Sequence, residues 1–86
     1  MDKHIIYGVH VTNRMRKATG IQQLFSEYGC NIKTRIGLHD VGPDYCSPSG
    51  VILLEMFGDE AACDEFRKKL STIDGIEVQQ MIFDHD

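Results

Sequence analysis

The stretch Val51-Ile52-Leu53-Leu54-Glu55-Met56-Phe57-Gly58-Asp59, VILLEMFGD, decides the fold. Apart from Glu55, residues 51–57 are apolar at both alternate sets of positions, the pattern of a strand covered on both faces. Gly58-Asp59 stops that strand, and Asp59 supplies a side-chain oxygen to cap the helix that follows. That helix is predicted over residues 60–72, with Ala62, Phe66, Leu70 and then Ile73 as its apolar stripe. Asp59, Glu60, Asp64 and Glu65 lie near its positive end, where the helix dipole favours acids. Asp74-Gly75 makes a turn, and residues 76–83, IEVQQMIF, read as the last strand.

Towards the N-terminus, residues 40–50 hold both prolines of the chain and predict a loop. Residues 32–39 before it predict a strand, with Ile32, Ile36 and Leu38 on one face and Lys33, Arg35, Gly37 and His39 on the other. Earlier still, Met15, Ala18, Ile21, Phe25 and Tyr28 recur at helical spacing behind a cap at Thr12 or Asn13. Gly20 weakens that helix by roughly 1 kcal/mol relative to alanine, and Gly29 stands where a left-handed cap is expected. Residues 4–11, HIIYGVHV, alternate as a strand: Ile5, Tyr7, Val9 and Val11 face one way, His4, Ile6, Gly8 and His10 the other. The order β-α-β-β-α-β predicts an α+β ferredoxin-like sandwich. Its four-stranded antiparallel sheet, in the order 4-1-3-2, carries both helices on one face.

Eighty-six residues make a single domain spanning 1–86, and 42% hydrophobic content suits a packed core. Thirteen acidic against nine basic residues, a net charge of -4, argue against direct nucleic-acid binding. Cys30, Cys46 and Cys63 form no CxxC pair, which suits reduced thiols in a cytoplasmic protein. The start, MDKHIIYGVHVTN, reads neither as a signal peptide nor as a membrane span. The sheet face away from the helices is expected to show Ile6, Leu53, Phe57, Met81 and Phe83 among His4, His10, Arg35, His39 and Glu55. An apolar patch of that kind marks a protein contact, so a homo-oligomer, dimer or tetramer, is expected. Arg35 and Glu55 are expected to pair across neighbouring strands of this face.

Three segments together carry a family likeness: Arg35-Ile36-Gly37, GVILLEMFGD at 50–59, and KKLSTIDGIEVQQM at 68–81. They resemble the iron-only hydrogenase system regulators, an ACT-like domain family similar to the C-terminal domain of nickel-responsive regulators. The likeness runs from the first strand to the fourth. It implies an ACT-type fold, assembly through sheets or sheet edges, and a regulatory rather than catalytic role with a small-molecule or metal effector. The nickel regulators also carry a ribbon-helix-helix DNA-binding segment that nothing here matches.

The resemblance points to two ligand sites. Nickel regulators bind metal around the second strand and the loop after it, where this chain has His39 and Cys46, a donor set that suits Ni, Zn or Fe. The His-x-His pair of that family is absent, because position 37 is glycine. A surface loop with an incidental Cys46 is the plainer reading. ACT domains often bind amino acids at the turn after the first strand, here Thr12 and Asn13. That turn lacks the glycine that admits a ligand to the backbone, and helix capping explains both residues. No Ser-His-Asp order, HExxH or P-loop occurs, so no catalytic residue is assigned.

Overall fold

The computed structural model describes residues 3–12, 14–42 and 45–84, with side chains described outside 14–19 and 39–49. The chain runs β1 (Lys3–Val11), α1 (Arg14–Glu27), a 3-10 turn (Gly29–Asn31), β2 (Ile32–Gly42), β3 (Tyr45–Met56), α2 (Glu60–Ser71) and β4 (Ile76–Asp84). The strands form one antiparallel sheet in the order β2-β3-β1-β4, a ferredoxin-like α+β arrangement. Alternation along β1 buries Ile5, Tyr7, Val9 and Val11 on the side that meets the helices. There Ile21, Phe25 and Tyr28 of α1 and its end join Cys63, Phe66 and Leu70 of α2 in one core. Phe66 is its centre, with ring centroids 5.1 Å from Tyr28, 6.0 Å from Phe25 and 6.5 Å from Tyr7. Pairing with β1 settles the register of β3: Leu54 and Met56 enter the core, and Val51, Leu53 and Glu55 face away.

The α2 start forms as its sequence predicts, with the Ala61 N–H donating to the Asp59 carboxylate at 3.1 Å. Gly29 differs from expectation. The left-handed positions among the described residues are Gly58 and Gly75. After α1 the chain tightens into the 3-10 turn, with the Asn31 N–H donating to the Tyr28 carbonyl at 2.9 Å, so no left-handed cap is needed. Asn31 then ties this turn to the end of β3. Its carbonyl accepts from the Phe57 N–H at 2.7 Å, and its side-chain amide donates to the Phe57 carbonyl at 3.1 Å.

Two larger differences concern β2 and the segment after it. The ladder pairs Ile32 with Met56 but Thr34 with Glu55, so Lys33 is an extra residue, a bulge. Because side chains alternate with a period of two, that one residue exchanges the faces of everything after it. Ile32 stays in the core, whereas Ile36 and Leu38 move to the open face. Arg35, opposite buried Leu54, turns to the helix side and lies 4.5 Å above the Phe25 ring. The Arg35–Glu55 pair expected on the open face is therefore not formed.

The expected loop 40–50 is instead mostly strand, since β2 continues to Gly42 and β3 begins at Tyr45. The ladder slips between the pairs His39–Gly50 and Val41–Cys46, setting Asp40 against Ser47-Pro48-Ser49. An irregularity of this kind is where a ladder tolerates a residue without an N–H. β1 pairs with β3 only as far as Val11–Gly50, so this end of the hairpin runs on as a two-stranded arm.

Candidate functional site

The open face of the sheet is a grid set by strand register. One row reads Thr34, Glu55, Ile6 and Met81 across β2, β3, β1 and β4, and the next reads Ile36, Leu53, Gly8 and Gln79. A third holds Leu38, Val51, His10 and Glu77, while His4 stands beside Phe83 at the other end. Among the described residues no helix covers it, and Ile36, Leu38, Met81 and Phe83 are 49–53% exposed. Singly such residues are ordinary; joined through Leu53 and Ile6 they form one apolar patch across the face.

A polar cluster is set into this apolar ground. The Thr34 hydroxyl donates to one Glu55 oxygen at 2.8 Å, and His4 Nε2 lies 2.8 Å from the other. The Lys33 ammonium, carried by the bulge, lies 3.9 Å away. The Thr34 hydrogen bond, then that of His4, with a smaller contribution from Lys33, holds the Glu55 carboxyl below the usual glutamate value. The His4 ring also meets Phe83 edge to face, with centroids 6.5 Å apart. At the opposite corner His10 Nδ1 is 3.7 Å from Glu77, whose other oxygen accepts from the Gln79 amide at 3.4 Å.

Two shallow, open depressions result. One, of about 250 Å³, lies over Ile6, Ile36 and Leu53 with His4, Thr34 and Glu55 on its wall. The other, of about 320 Å³, lies over Gly8 and Val51 between His10, Glu77 and Gln79.

Of the residues singled out as an interface, Ile6, Leu53, Glu55 and Met81 stand together on this face. Phe57 follows the last residue of β3 and is exposed. Arg35 belongs to the opposite side. Thr34, Ile36 and Leu38 were missed because strict alternation placed them elsewhere; the visible signal was Glu55, a lone charge in an apolar strand.

The other candidates are dispersed. Thr12 donates both its N–H (2.9 Å) and its hydroxyl (2.7 Å) to the Gly75 carbonyl, tying the β1–α1 turn to the turn before β4. Asn13 lies outside the described residues, as do the side chains of His39 and Cys46. The backbone register sets Cys46 opposite Val41, two positions from His39 on the neighbouring strand. Among the described residues no three His, Cys, Asp or Glu groups gather to hold a metal, and no helix is long and apolar enough to cross a membrane. The thiol of Cys63 is buried 3.7 Å from the Phe57 carbonyl, and burial pushes its pKa up, which suits packing rather than nucleophilic attack. Burial also pushes Tyr7 up to about 12.

No family model and no curated protein matches the chain. Among solved structures it is similar to the uncharacterized protein TM1266 from Thermotoga maritima, with a TM-score of 0.77 and 21% identity over 94% of this chain and 98% of that one. At that identity the likeness establishes the shared fold.

Proposed function

We propose that this chain is a cytoplasmic regulatory module that works as a homo-oligomer joined through the open face of its sheet. The observation that carries the reading is the combination of apolar side chains with polar groups already engaged within the chain. Glu55 is held by Thr34, His4 and Lys33, and Glu77 by His10 and Gln79. Among the described residues both acids of the face therefore have a hydrogen-bond donor or base beside them, which lowers the penalty of covering them. The size also fits. Four strands about 4.8 Å apart and nine residues long at about 3.3 Å each give a face of roughly 19 by 30 Å. Two such faces bury roughly 1,100 Å² before corrugation is counted, within reach of what a stable interface needs. A second copy is the occupant that brings the same apolar ground to the face across a two-fold axis.

The effector and assembly role follow the resemblance to the iron-only hydrogenase system regulators, with any DNA contact supplied by another chain. Light scattering during size exclusion tests the assembly. The wild type is expected to run as an oligomer, and Leu53→Glu, which sets a new carboxylate in the middle of the face, is expected to lower the mass. An unchanged mass for Leu53→Glu would defeat the face as the interface.

A second reading, a Ni, Zn or Fe sensor using His39 and Cys46, gains from the hairpin, which puts the two residues at diagonal positions roughly 7–8 Å apart between Cα atoms. Elemental analysis of untagged protein separates it from the first. Metal retained by the wild type and lost in His39→Ala and Cys46→Ser supports a sensor; metal-free protein that takes up none of the three ions retires it. The amino-acid reading loses ground because Thr12 is engaged by Gly75.

A further inference from the structure

The two acids of the open face are balanced differently. Glu55 has a base beside it whatever the state of His4, because the Lys33 ammonium lies 3.9 Å from the same oxygen that His4 approaches. Glu77 has no second base among the described residues. Its neighbours are His10, with Nδ1 3.7 Å from one oxygen, and the Gln79 amide, 3.4 Å from the other. Around His10 the face carries Val51 and then Leu38 on one side, Glu77 and Gln79 on the other, and Gly8 along β1. Among the described side chains Glu77 is therefore the one charge beside His10. The side chain of Asp40, at this end of β2, lies outside them.

Histidine is the side chain that ordinarily changes charge between pH 5 and 8. The His10–Glu77 corner carries a net negative charge when His10 is neutral and none when it is protonated. Protonating His4 instead adds a positive charge to a Glu55–Lys33 pair that is already balanced. In the single subunit the difference counts for little. The His10 and Glu77 side chains are 45% and 62% exposed, and 3.7 Å is ion-pair range but too long for a good hydrogen bond.

Covering the face changes that. The pair stands on the wall of the larger depression, about 320 Å³ over Gly8 and Val51, so a molecule seated on the face closes it over. Water leaves, and attraction between opposite charges grows roughly fourfold from the dielectric of water to that near a protein surface. An acid with only neutral neighbours is costly there, and a protonated imidazole beside it lowers the cost.

We propose that the His10–Glu77 pair makes association through the open face proton-linked, each subunit taking up a proton at His10 as the face is covered. This rests on the open face being the interface between copies. The associated form then binds more protons than the free subunits, so association strengthens as pH falls from 8 to 6 and weakens as pH rises.

Sedimentation equilibrium at pH 6, 7 and 8 and constant ionic strength tests it, with far-UV circular dichroism confirming the fold of each variant. The wild-type dissociation constant is expected to rise about tenfold from pH 6 to pH 8, the effect of one unit of proton affinity gained at one site. His10→Gln is expected to lose that dependence, while His4→Gln and Asp40→Asn keep it. Glu77→Gln is expected to associate at pH 8 about as tightly as the wild type at pH 6. On acidification it is expected to weaken, because protonated His10 then has no acid beside it. A wild-type dissociation constant that is flat across this range, a wild type that stays monomeric, or a His10→Gln protein that keeps the wild-type slope would overturn the proton linkage. Failure of the face reading looks different: Leu53→Glu then has the wild-type mass at every pH. If the linkage alone fails, Leu53→Glu dissociates and the wild type ignores pH.

Discussion

Glu55 holds both carboxylate oxygens in contacts with neighbouring strands, to Thr34 on one side and His4 on the other. Each contact favours the ionised form, so its pKa is depressed in the folded chain. The sign follows: its stabilising contribution is present in full above the ordinary glutamate value of about 4.3, and is lost as pH falls through the lower folded value. Carboxyl NMR titration is expected to place Glu55 below the ordinary glutamate value. Thr34→Val, which removes the largest contribution, is expected to move it back up; no upward movement would mean that the Thr34 bond does not set the value. Gly58 is the second decisive residue. Its φ of 95° is costly for a side chain, and a Cβ there would sit 3.1 Å from the Asn31 amide. Gly58→Ala is expected to cost at least about 1–2 kcal/mol in urea unfolding.

At the scale of elements, the bulge at Lys33 governs what β2 shows to each side. It sends Arg35 onto the Phe25 ring and sends Ile36 and Leu38 to the open face. Arg35→Ala is therefore expected to cost about 0.5–1 kcal/mol of subunit stability, the worth of an exposed cation–π contact. It is expected to leave the assembled mass unchanged. Sedimentation and urea unfolding of one sample measure both quantities. Assembly that weakens while stability holds would contradict the face assigned to Arg35.

For the whole molecule, one helix layer covers one side of a four-stranded sheet, leaving the other side and the β4 edge uncovered. A chain of this size buries a modest share of its surface alone, and association adds stability by mass action. The urea midpoint is therefore expected to rise with protein concentration over a hundredfold range, and to lose much of that dependence in Leu53→Glu. A wild-type midpoint independent of concentration would place the stability within the single subunit.

The sequence by itself determined the elements and their order, because the signals are local. The apolar run at 51–57, the Gly58-Asp59 stop and cap, and the stripe through Phe66 and Leu70 each depend on residues within a turn or two of one another. The alternation of β1 was equally clear, since only one of its faces is apolar throughout, and that fixed the core side at Ile5, Tyr7, Val9 and Val11. Only the tertiary structure decided the faces of β2 and β3. Both faces of β3 are apolar, so its register came from pairing with β1. The extra residue at Lys33 is visible only when β2 is laid against β3, because a bulge is a mismatch between two strands rather than a property of either. For the same reason the segment after His39 read as a loop from its glycines and prolines, while cross-strand pairing made most of it hairpin. The meeting of Thr34, His4 and Glu55 from three strands is likewise a consequence of register, which local sequence does not carry.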